Sequence, residues 1–176
     1  SVKEDPDDDR NMHYLGREYL YRERFDDCIR TLHHHLQMPR ASWADERAAS
    51  MRYIARAYQG KNDEEEAQRW LLRAIAEAPH LREGWVEMAG LLCQKKEWEG
   101  AAYFADHARR ITSRPMSYIS EAQAWGSQPY DIGAVAAYWL GQYDRALELI
   151  DRALEYSPLD MRLQENRKWI LQKLST

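Results

Sequence analysis

Residues 130–158 read YDIGAVAAYWLGQYDRALELIDRALEYSP, and this stretch decides the fold. It describes one helix, a tight turn and a second helix. Small side chains at Ala134, Ala146 and Ala153 fall where two helices must approach closely, and the Gly141–Gln142 step makes the turn. Tyr143 leads into the second helix. Pro158 ends it, because proline has no amide hydrogen and its ring blocks the preceding turn.

Towards the N-terminus the same pattern recurs in looser copies. Trp85, Met88, Ala89 and Leu92, then Trp98, Ala101, Ala105 and Ala108, give a helix pair over about 82–113. Met51, Ile54, Ala55 and Tyr58, then Ala67, Leu71, Ala74 and Ile75, give another over about 48–79. Its second helix starts where Asn62 and Asp63 precede Glu65 and Glu66 at the offset of a capping box, and Pro79 stops it. The first copy, about 10–40, carries Met12, Leu15, Gly16 and Tyr19, then Phe25, Cys28, Ile29, Leu32 and Leu36. Ala55 to Ala89, Ala67 to Ala101 and Ala74 to Ala108 each span 34 residues, a period that marks a helical repeat.

The period is broken twice. Gly16 to Ala55 is 39 residues, which puts extra chain near Pro39 to Ser42, and Ala89 to Ala134 is 45, which puts a longer insertion within 112–128. Beyond the fourth copy, 127–158, Leu163, Ile170, Leu171 and Leu174 predict a capping helix over 159–174, with Arg162, Glu165, Arg167 and Lys168 on its other face. The predicted class is all-α: a single helix-turn-helix solenoid over 10–176, with about four repeats and a C-terminal cap. Residues 1–9, SVKEDPDDD, hold too little apolar surface to offset ordering and are expected to form a disordered acidic lead-in.

With 176 residues, of which 44% are hydrophobic, the chain can build a core without covalent staples. No apolar run approaches the roughly 20 residues of a transmembrane helix, and no basic-then-apolar leader opens the chain. Cys28 and Cys93 are too few for a disulfide framework and are not spaced as metal ligands, which points to a reducing, cytoplasmic setting. A net charge of -4 and a pI of about 5.9 lack the electrostatic footprint of a nucleic-acid binder.

The pattern Leu15-Gly16, Tyr19, Cys28 and Leu32 in the first copy, and Tyr130, Ala134, Ala146, Ala153 and Pro158 in the last, resembles the tetratricopeptide repeat (TPR). The resemblance covers nearly all of the chain beyond residue 9, and His35 stands where the repeat carries Ala. The segments NMHYLGREYL, ERAASMRYIARAY, LREGWVEMAGLL, EWEGAAYFADHA and PYDIGAVAAYWLG are also similar to the TPR extension that follows the catalytic domain of some bacterial family 2 glycosyltransferases. That likeness implies an accessory, non-catalytic part of such an enzyme. The sugar-transfer chemistry needs an α/β domain with an Asp-x-Asp motif at a strand end, and this sequence has no strand pattern.

In TPR proteins the first helix of each pair lines a concave face. The resemblance therefore implies that Arg10, His13 and Arg17, with Arg52 and Arg56, form a basic half-groove, and that Tyr138 and Trp139 belong to an aromatic one. Arginine forks suit carboxylate or phosphate oxygens and aromatic rings supply apolar contact, so an acidic peptide or an anionic glycan acceptor is the expected ligand class. The competing reading is a solvated charged face paired with Glu18, Asp45 or Glu46. Glu83 and Glu87 stand where the TPR chaperone-tail clamp carries basic residues, which argues against that ligand.

No Ser/His/Asp order, carboxylate pair or Gly-rich phosphate loop stands out, so no catalytic residue and no cofactor is expected. His33, His34 and His35 are consecutive and splay by about 100° each on a helix, so they are not expected to converge on a metal. The expected function is a non-catalytic interaction module. The alternative is a self-association scaffold, a possible homo-oligomer, with Tyr118, Trp125 and Trp139 exposed around the insertion.

Overall fold

The computed structural model describes residues 8–176, so most of the acidic lead-in lies outside the described residues. Its last two residues belong to the fold. Asp8 caps the first helix, α1 (Asp9–Tyr21), accepting a hydrogen bond from the Asn11 backbone N–H at 3.0 Å, and Asp9 opens the helix. Aspartate at this place satisfies an otherwise orphaned amide and opposes the positive end of the helix dipole.

All regular structure among the described residues is helical. Seven helices follow α1 and precede the last: α2 (Phe25–Gln37), α3 (Ala44–Gly60), α4 (Glu64–Glu77), α5 (Arg82–Gln94), α6 (Trp98–Arg110), α7 (Gln128–Trp139) and α8 (Tyr143–Tyr156). The cap is α9 (Met161–Leu174), and a short 3-10 turn, Ala122–Trp125, interrupts the insertion before α7. The chain divides into two compact units, one ending at Pro79 and one beginning at His80. Each is built from helix-turn-helix pairs: α1/α2 and α3/α4 in the first, α5/α6 and α7/α8 with α9 in the second.

Every pair closes with the same turn. Glu23, Asn62, Lys96 and Gly141 take the left-handed conformation, with φ of 57°, 59°, 61° and 75°. In each case the next residue donates its amide back across the turn at 2.9 Å: Arg24 to Tyr19, Asp63 to Tyr58, Glu97 to Leu92 and Gln142 to Ala137. This six-to-one bond satisfies the last carbonyls of the first helix. The four positions are 39, 34 and 45 residues apart, the same intervals that the small residues show. Only the last turn uses glycine, the one residue that pays no Cβ penalty there.

Of the second helices, α4 carries a side-chain N-cap, and α9 carries another. Asp63 accepts from the Glu66 amide at 3.1 Å, and at the C-terminal end Asp160 accepts from Arg162 and Leu163 at 2.9 and 3.2 Å. Buried small residues then let paired helices meet: a Cβ on Gly16 would lie 2.2 Å from Leu32 Cδ2, and Leu32 is fully buried. In the second unit Ala134, Ala137, Ala146 and Ala153 pack with Leu149, Ile150, Leu163 and Ile170 into one apolar core.

Both interruptions of the period are tied down by charged side chains from the helix that follows or faces them. Arg47 on α3 donates to the Leu36 and Ala41 carbonyls at 2.9 and 3.1 Å and pairs with Glu77 at 2.6 Å. That clamps the short insertion after α2. On α5, Arg82 donates from Nε to the Ile111 carbonyl at 3.0 Å, and Glu83 receives the backbone of the long insertion.

Candidate functional site

The second unit carries an aromatic surface on α7 and α9. Trp139, the last residue of α7, is 61% exposed. Its indole stacks on Trp98 of α6, with centroids 5.5 Å apart and planes within 12°, while Tyr138 meets it edge-on at 5.5 Å. One turn back, Val135 joins Tyr138 and Trp139 with Trp169 and Asn166 of α9 around a cavity of about 150 Å³ floored by Ile150. Trp169 is 58% exposed, and its Nε1 donates to Glu165 at 3.1 Å. A rigid, partly apolar recess flanked by two exposed indoles offers large contact area at small conformational cost.

Beside it, the insertion is organised differently from the sequence-based expectation. Trp125 is half-buried: its Nε1 donates to Glu83 Oε1 at 3.0 Å, and the same oxygen accepts from the Glu121 amide at 2.9 Å. The guanidinium of Arg82 lies 4.2 Å from the centre of the Trp125 ring. Glu83 and Arg82 are themselves buried. Trp125 is thus an anchor that pins the insertion to α5 and not an exposed surface residue, because a buried carboxylate needs donors and this indole supplies one. Tyr118 remains exposed. Spacing gave no hint of the Arg82–Glu83 clamp, whose partners lie 29 to 42 residues away.

In the first unit the basic candidates separate. Arg10 is exposed and Arg17 and Arg56 are half-buried, with the Arg17 guanidinium 4.8 Å from the Tyr14 ring and that of Arg56 5.3 Å from the Tyr53 ring. His13 and Arg52 are each only 1% exposed and offer no surface to a ligand. The basic row is therefore narrower than spacing suggests, since α1 turns His13 into the interior formed with α2 and α3. There His13 Nδ1 meets Ser50 Oγ at 2.7 Å, and the same hydroxyl meets His35 Nδ1 at 3.0 Å. Burial, then the neighbouring His35, Arg17 and Arg52, push the His13 pKa down to about 3, so the ring is neutral.

Neither thiol is poised for chemistry near neutral pH. Burial pushes Cys28 up to about 12 and raises Cys93 as well. No helix among the described residues is long and apolar enough to cross a membrane.

No family model matches the chain, and no curated protein matches it. Solved structures do. A crystal structure of MamA superposes with a TM-score of 0.74 at 12% identity, covering 95% of this chain and 82% of that one. The pilF protein of Pseudomonas aeruginosa gives 0.71 at 15% identity, covering 93% and 68%. TTC0263, described as a thermophilic TPR protein of Thermus thermophilus, gives 0.66 at 17% identity, covering 97% and 85%. The fold is of the tetratricopeptide type. At these identities the likeness extends to the fold, and the aromatic surface of α7 and α9 is read from this chain's own residues.

Proposed function

We propose that this chain is a non-catalytic protein-interaction module that docks a partner segment on the aromatic surface of α7 and α9. The observation that carries this is the exposed Trp139, stacked on Trp98 and flanking the recess lined by Val135, Tyr138 and Trp169. A partner segment presenting one apolar or aromatic side chain fills the recess, with its backbone laid against the two indoles. Titration of a peptide panel, apolar-centred against polar-centred, tests it with wild-type protein and with Trp139→Ala and Trp169→Ala. Selective binding that falls at least roughly tenfold in each variant supports the reading, the size expected of an aromatic anchor. Equal, weak binding across panel and variants sinks it.

The segment likeness to the TPR extension of family 2 glycosyltransferases supports a finer reading, in which the partner is the catalytic domain or its acceptor. An α/β glycosyltransferase domain encoded in the same reading frame is the expected finding; a frame without one removes this reading and leaves the docking surface standing. Arg10, Arg17 and Arg56 support a second ligand contact, with a carboxylate-rich peptide or an anionic glycan. Two of these guanidiniums are already held over tyrosine rings, which lowers the cost of presenting their forks. Self-association through Trp139, Trp169 and Tyr118 is the rival occupant of the surface. Sedimentation at rising concentration separates the two, since a dimer that Trp139→Ala dissolves favours self-association.

A further inference from the structure

We propose that Asp9, His35 and Glu46 form a binding site for a divalent transition-metal ion of the zinc class. The three residues come from α1, α2 and α3 of the first unit, and their ligand atoms all lie within 4.8 Å of one another. His35 Nε2 stands 3.3 Å from Glu46 Oε1. That equals the edge of a tetrahedron with zinc–ligand bonds of about 2.0–2.1 Å, which is about 3.3 Å. One imidazole and two carboxylates are a donor set that zinc-class ions accept, with the fourth position left to water.

Burial and the surrounding hydrogen bonds point the same way. His35 is fully buried and Glu46 is 3% exposed, whereas Asp9 is half-buried and opens the site to solvent. Behind the site, His35 Nδ1 is held by Ser50 Oγ at 3.0 Å, and Ser50 in turn by His13 Nδ1 at 2.7 Å. This chain fixes the ring so that Nε2 faces the carboxylates, which is what an outer shell does for a ligating histidine.

The sequence register adds an independent observation. Stepping along the repeat, His35 corresponds to Ala74, Ala108 and Ala153, each buried in a small-residue helix contact. Packing at this position is satisfied by alanine three times over, and the first repeat places an imidazole there together with the serine and carboxylates that surround it.

The test uses chelator-treated protein titrated with Co²⁺, read by its visible absorption, and with Zn²⁺, read by calorimetry. The expected result is one ion per chain, a cobalt spectrum of tetrahedral intensity displaced by zinc, and loss of that spectrum in His35→Gln. Asp9→Asn, at a half-exposed helix start, should weaken binding at least roughly tenfold while leaving the circular dichroism of the metal-free protein unchanged. Ser50→Ala, a positioning residue, should weaken it by about 10- to 100-fold. A cobalt spectrum no different from the aquo ion overturns the proposal. So does zinc binding of equal strength in wild type and Asp9→Asn, which would place the ion on exposed histidines such as His34 or His80.

Discussion

The first and the last helix pairs share one turn, one close approach and one fold, yet their interiors are opposite in character. In α7/α8 with α9 the centre is Ala134, Ala146, Ala153, Ile150 and Leu163, an apolar seam that specifies itself by size. In α1/α2 with α3 the corresponding space holds His13, Ser50, His35 and Glu46, all buried and linked in a line. The comparison teaches that the repeat constrains spacing more than polarity. A polar interior is tolerated where three helices each contribute a partner, because the cost of burying a donor or acceptor falls only on those left unmatched.

The sharpest way to separate the two interiors is pH. The folded pKa of His13, about 3, lies below the ordinary value of 6.5, so the unfolded chain takes up the proton first. Stability from keeping this ring neutral is complete above pH 6.5 and is lost steadily as pH falls towards 3, by an amount on the order of several kcal/mol. Among the groups facing the ring are Tyr14, Arg17, His35, Ser50, Arg52 and Tyr53. Urea unfolding of chelator-treated protein from pH 7 to pH 4 should show this slope, and His13→Asn should flatten it; an unchanged slope breaks the assignment.

Transplanting polarity is the next test. Ala153→His copies the first pair's choice into the last without Ser50 or Glu46 equivalents, so it should cost at least about 3 kcal/mol through overpacking and an unmatched imidazole, measured by chemical denaturation. A smaller loss would mean that the apolar seam can yield.

The two insertions extend the comparison. Glu83→Ala removes the acceptor shared by Trp125 and Glu121 and should cost about 1–3 kcal/mol, with faster proteolysis between 112 and 121 than elsewhere. Retained resistance there would show that Arg82 alone holds the segment. Smallest of all is the turn: Lys96→Gly should stabilise and Gly141→Ala destabilise, each by about 1 kcal/mol, since both sit at positive φ. Thermal unfolding reads both, and shifts of the same sign would break the equivalence of the turns.

The helices were legible because period and punctuation are local. Ala55, Ala89 and Ala134 carry the register, Pro79 and Pro158 mark the ends, and Asp63 marks a start. The candidate site was legible only in part. Trp139 emerged from its register position and is exposed, but Trp169, the other wall of the recess, was not singled out by the sequence pattern. His35 was visible as a departure from alanine, although its partners Asp9 and Glu46 were not. Trp125 was misplaced because its burial depends on Glu83, a residue whose polarity suggests exposure.

By itself the sequence determined the all-helical class, the 34-residue period, the two places where it breaks, and the Gly141 turn that ends the first helix of the last pair. These follow from backbone sterics and side-chain size within a few residues. Only the tertiary structure decided which charged side chains turn inward. Arg82 and Glu83 are buried against partners 29 to 42 residues away, and Glu46 is buried against His35 of another helix; no periodicity within one helix encodes where another helix will place its partner.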